Sequence, residues 1–214
     1  MFHYNPDNKI LQALSQYADL LVLSALWLLT SLPVVTAGAS AAALYRVLLK
    51  LASGRDETSV VRAFFAQWQC EWKRGTMIWL CLLGFDALVC ADIAVCLLGR
   101  PSGAWGRVLW TGSVIALLAA LIFQVYAFAV NAQFQCTLRQ TFSNALRLAA
   151  GNPVWTLLLL LLLAGSAASV VMLGFFSIAV LGVFFYLRAR ILYKIFQPAI
   201  EKYAGLQEQL QEEL

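Results

Sequence analysis

The sequence predicts an all-α protein: a polytopic transmembrane bundle of five to six membrane helices, with two amphipathic helices on the cytoplasmic interface. Three observations carry that reading. Only 12% of the 214 residues are charged and 62% are hydrophobic, whereas soluble domains are about a quarter charged. Mean hydropathy is +0.77, so a water-facing exterior could not be covered with polar groups. Several uncharged runs also match or exceed the roughly 20 residues that cross a bilayer as a helix.

The first run, Leu20–Tyr45, has 26 residues without a charge, about 39 Å as one helix. That exceeds a hydrocarbon core of about 30 Å, and Pro33 and Gly38 interrupt it. Proline removes a backbone donor and disfavours helix at the residue before it. The expected layout is a helix over 18–33, a break at 33–38 and a shorter return helix over 39–52. A single crossing followed by an interfacial helix is the alternative. Pro33, Gly38, Ala39 and Ser40 are the hinge and packing residues, because small side chains let helices approach closely in lipid. Arg46 and Lys50 are expected to snorkel toward the interface.

Residues 59–74 place Val60, Phe64, Trp68 and Trp72 at every fourth position, with Arg62, Gln67, Gln69, Glu71 and Lys73 between them. This predicts an amphipathic helix lying in the interface. The run Gly75–Gly99 follows, broken only by Asp86 and Asp92, and then Val108–Leu138. A second amphipathic helix is expected over 137–150, with Leu138, Phe142, Ala145, Leu146 and Ala149 opposed by Arg139, Gln140, Ser143, Asn144 and Arg147. Asn152-Pro153 supplies a cap and a first-turn proline for the next crossing. Leu148–Leu187 has 40 uncharged residues, about 60 Å of helix, which predicts two crossings joined near Gly165–Gly174. Residues 1–200 form one membrane domain, and 201–214 form a polar, acidic cytoplasmic tail with a short helix.

Arg46, Lys50, Arg55, Arg62, Lys73 and Arg74 fall in one connection. Arg139 and Arg147 fall in another, and Arg188, Arg190, Lys194 and Lys202 follow the last crossing. Only Arg100 and Arg107 lie on the opposite side, so the positive-inside rule puts the three basic regions and the C-terminus in the cytoplasm. The hairpin layout puts the N-terminus there too, whereas the single-crossing alternative leaves it outside. Ala37-Gly38-Ala39 resembles a signal-peptide cleavage site, but Lys9 stands against Asp7 and Asp19 ahead of it. The segment is therefore expected to be retained.

Candidate chemistry is sparse. The single histidine is His3, which argues against His-based metal sites and Ser-His or Cys-His nucleophiles. Cys70, Cys81, Cys90, Cys96 and Cys136 contain no C-x-x-C pair and sit in or beside apolar segments, as small hydrophobes do. No phosphate-binding glycine loop and no basic cluster for nucleic acid occurs. No enzyme, cofactor, metal site or nucleic-acid partner is expected. Asp86 lies near the middle of an apolar run, where a carboxylate costs about 2.5–3.5 kcal/mol. It is a candidate relay residue or a carboxyl held by Gln124 or by the opening hairpin. Gln124, Asn131, Gln133 and Gln135 make a polar stripe that either lines a solute path or ties helices together. Phe64, Trp68, Trp72, Phe142, Arg139 and Arg147 are candidate docking residues for a partner, since aromatics and arginine make interface anchors.

Three stretches, "LWLLTSLPVVTAGASAAALYRVLLKL", "RAFFAQWQCEWKRGTMIWL" and "NAQFQCTLRQTFSNALRLAAGNP", resemble the YesL-like family of bacterial membrane proteins. The resemblance covers roughly residues 10–200. It implies a small bacterial plasma-membrane protein linked to carbohydrate ABC uptake systems and their sensors, and it assigns no catalytic residues. The expected function is a non-enzymatic accessory or regulatory subunit, with the bilayer, an ABC permease or sensor, or a second copy of the chain as partner. The alternative is a small-solute or ion transporter using the Pro33–Gly38 break and Asp86.

Overall fold

A computed structural model describes residues 9–54, 59–99, 103–134 and 137–212. Among them there are seven α-helices and no strand: α1 (Lys9–Ser31), α2 (Ala37–Ala52), α3 (Val60–Gly99), α4 (Gly103–Phe134), α5 (Leu138–Gly151), α6 (Pro153–Leu173) and α7 (Ser177–Glu212). Five stretches are long and apolar enough to cross a membrane: 13–31, 34–52, 60–99, 105–134 and 153–173. The sixth apolar segment opens α7 and packs back on α6, where a Cβ on Gly165 would stand 3.1 Å from the Phe184 ring.

The first run folds as a hairpin. α1 stops at Ser31, a 3-10 turn spans Val34–Thr36, and α2 begins at Ala37. Pro33 is extended, with φ −74° and ψ 112°. The Thr36 hydroxyl donates within the turn, with Thr30 O at 2.6 Å and Pro33 O at 2.9 Å. The Ser40 hydroxyl in turn donates to Thr36 O at 2.9 Å. The carbonyls of Thr30, Pro33 and Thr36 at the break are thus met locally, as an apolar setting favours. The α6–α7 turn falls at Gly174, whose φ is +52°, a left-handed value that glycine adopts without strain.

The main departure from expectation is α3. Residues 60–74 do not form a separate interfacial helix; they are the first turns of one helix of 40 residues, about 60 Å long. The reason is tertiary. Val60 and Phe64 are buried in a core with Leu20, Leu23, Leu44, Val47 and Leu48 of the hairpin, so this part of the apolar face is covered by protein. Further along, Ile78 and Leu82 share a second core with Ala42, Tyr45, Leu49, Tyr126, Leu192 and Phe196. The two cores together hold α1, α2, α3, α4 and α7 in one bundle.

The second amphipathic segment does form its own helix, α5. Thr137 is its N-cap, in a reciprocal capping box with Gln140, and Thr141, Ala145 and Ala149 are its buried residues. The chain beyond Pro198 is not a separate helix, because α7 runs on through it to Glu212.

Candidate functional site

Two surfaces meet where α2 crosses α3. Gly38 lies so close to Gly75 O and Trp79 Cβ that a methyl group would overlap both. On Gly75, a Cβ would stand 2.8 Å from Ala39 Cα. Trp79 Nε1 donates to Val34 O at 2.7 Å, so the hairpin tip sits at the level where the uncharged part of α3 begins. Ala39 and Ser40 are fully buried, so Gly38, Ala39 and Ser40 form a packing joint, whereas Pro33 is exposed.

Three carboxylates of α3, Glu71 buried and Asp86 and Asp92 half-buried, are each tied to a partner on α4. Gln124 donates to Asp86 at 2.7 Å. Ser113 donates to Asp92 at 2.6 Å. Asn131, completely buried, donates to Glu71 at 2.8 Å. Arg46 of α2 completes the innermost staple: its guanidinium is 3.9 Å from Glu71 and donates to Ala132 O at 3.0 Å. These bonds join α3 to α4 at three levels along an antiparallel hairpin. Of the two holders expected for Asp86, Gln124 is the one that bonds it. Asp86→Asn keeps an acceptor for Gln124, so its thermal midpoint should stay within a degree or two of the parent in a detergent melting assay. Asp86→Leu should cost about 1 kcal/mol, the scale of an interhelical bond in a membrane protein.

Two buried charges were misplaced by sequence reasoning. Glu71 was expected on the polar face of an interfacial helix, yet it is 4% exposed. Its signal was a seven-residue spacing, since Phe64, Glu71 and Ile78 fall on one stripe and all three are buried. Arg188 was expected at the flank of the last crossing, but it is 3% exposed. Its Nη2 donates to Ser166 at 3.3 Å and its Nε to Phe184 O at 3.4 Å, while its guanidinium lies 4.7 Å from the Phe185 ring centroid.

Arg188 borders a cavity of about 650 Å³ between the α1–α2 hairpin, α4, α6 and α7. Trp27, Leu44, Leu163 and Leu181 give it apolar walls, with Gln124 and Ser166 among the few polar groups.

The expected docking residues divide. Phe64 is fully buried and is unavailable to a partner. Trp68 is half-buried against the hairpin core and stacks edge-on with Trp72 at 4.7 Å. Trp72 is exposed, as are Val61 and Phe65. Phe142 is half-buried and packs on Phe123 at 5.4 Å. Arg139 and Arg147 are exposed on α5. Cys70, Cys81 and Cys90 are exposed free thiols and Cys96 is a buried one. His3, Gln135 and Cys136 lie outside the described residues. No group of three metal-ligating side chains occurs among the described residues.

The fold and its interior thus define a class: an all-helical, polytopic membrane bundle whose internal carboxylates staple helices together. Residues 20–93 match a family described as "Protein of unknown function, DUF624". The matched segment holds the hairpin, the Gly38–Gly75 joint, Arg46, Glu71 and Asp86. No curated protein and no solved structure matches the chain.

Proposed function

We propose that this protein is a non-enzymatic accessory subunit of the YesL-like type, seated in a bacterial plasma membrane with both termini in the cytoplasm. On this reading it engages another integral membrane protein, a permease or sensor of carbohydrate ABC uptake, the association that the resemblance implies. The observation that supports it best is the exposed strip on the first half of α3. Val61, Phe65 and Trp72 stand free of the cores, next to the exposed Arg62 and Lys73. Aromatic side chains beside basic ones suit a protein interface. The pairing of Asp86, Asp92 and Glu71 within the bundle also favours a scaffold over an acid-lined path.

Purification from native membranes in mild detergent, followed by mass spectrometry, is the test. A stoichiometric integral-membrane partner is expected, and recovery should fall at least about tenfold with Phe65→Ala/Trp72→Ala, as for loss of interface anchors. The double variant should elute and melt like the parent. Recovery of the protein without any partner would overturn the reading.

A further inference from the structure

We propose that the cavity bordered by Arg188 is a binding site for a single-chain anionic amphiphile, an acyl chain ending in a carboxylate or phosphate. Arginine stays charged in proteins and offers five N–H donors. Buried at 3% exposure, Arg188 makes two long hydrogen bonds, to Ser166 Oγ and Phe184 O. Among the described residues no carboxylate lies within 4.0 Å of it, since the ion pair found there is Arg46–Glu71. A charge held in this way within an apolar bundle favours any oxyanion that can reach it.

The cavity supplies the rest of the recognition. At about 650 Å³ it falls within the range of about 300–1,000 Å³ for small-molecule sites. Its exposed lining residues are apolar, with Leu28 on α1 and Val170 on α6, so a hydrocarbon chain can enter from the lipid side. The deeply buried lining includes Leu44, Ser166, Phe185 and Arg188. The chain would lie along Trp27, Leu163 and Leu181, and the head would sit at the guanidinium and the Ser166 hydroxyl. A neutral alcohol of equal length fits the walls but leaves the charge unmatched. A zwitterionic two-chain lipid has too large a tail for the same space.

The test uses the full chain in phosphatidylcholine nanodiscs and a diazirine-bearing palmitate as photolabel. Labelling is expected on peptides covering 163–170 and 177–188. Unlabelled palmitate should compete at least about tenfold better than palmityl alcohol, the factor for one charge-assisted hydrogen bond. Arg188→Gln should remove that preference and Arg188→Lys should retain part of it. Lysophosphatidylglycerol competing better than palmitate would assign the head to a lipid phosphate, and the reverse order to a fatty-acid carboxylate; both support the site. Leu163→Trp, which fills the cavity and keeps the arginine, should reduce labelling, and it serves if Arg188→Gln does not fold. Equal competition by palmitate and the alcohol, or unchanged labelling in Leu163→Trp, would overturn the proposal.

Discussion

Gly38→Leu is expected to prevent the bundle from assembling. At this position even a Cβ overlaps Gly75 O and Trp79 Cβ, and both neighbours belong to a helix that cannot flex away as a side-chain tip would. Overpacking a core usually costs about 1–3 kcal/mol, and contact with backbone should exceed the upper end. Gly38→Ala should already lower the thermal midpoint clearly. Gly84 in the same helix, α3, is the control, because nothing lies within 4 Å of its added Cβ. There alanine should be neutral or stabilise by up to about 1 kcal/mol through helix propensity. Fluorescence-detected size exclusion in detergent reads both. A Gly38→Leu protein eluting and melting like the parent would refute the joint.

Glu71→Ala should be the next most damaging change. It strips Asn131 of its acceptor and removes the carboxylate that faces Arg46 at once. Breaking a buried ion pair from one side costs about 3–5 kcal/mol. Here the Arg46 side chain is 24% exposed and still reaches Ala132 O, so a loss of about 2–3 kcal/mol is expected. Glu71→Gln keeps an oxygen for Asn131 and should recover about half of it. The thermal midpoints of the two variants, side by side, decide the matter. Equal destabilisation would mean that the charge, and not the hydrogen bond, carries the staple.

Much of this architecture was readable from the sequence, because lipid leaves few choices. Pro33 and Gly38 in a run too long for one crossing pointed to a hairpin, and the break lies between Ser31 and Ala37. The 40-residue uncharged run required a return, and Gly174 provides it. Gln124 and the polar atoms of the opening hairpin were the two holders expected for Asp86, and it is Gln124 that bonds it.

What could not be read came from which face of a helix is covered. A four-residue spacing turns by about 40° per step, whereas a seven-residue spacing drifts only about 20°. Counting by fours along 60–72 grouped Trp68 and Trp72 with Phe64 and left Glu71 outside. Counting by sevens gives Phe64, Glu71 and Ile78 on one stripe and Gly75, Leu82, Val89 and Cys96 on another, and all seven are buried. Arg188 escaped for a different reason. A basic residue at the edge of an apolar run looks like a topology signal, and only the packing of α7 against α6 shows that it faces inward.

The unbroken course of α3 gives the molecule a lever. Its fulcrum is the Gly38–Gly75 contact, where backbone meets backbone. The arm from Gly75 back to Val60 measures about 22 Å and the arm on to Gly99 about 36 Å. Spin labels on the exposed Ala66 and Leu98 would report the two arms moving in opposite directions if the rod tilts rigidly, and independently if it bends. With the rod rigid, a push of 1 Å at the Val60 end becomes a swing of about 1.6 Å at the Gly99 end, with no ligand or ion having to cross.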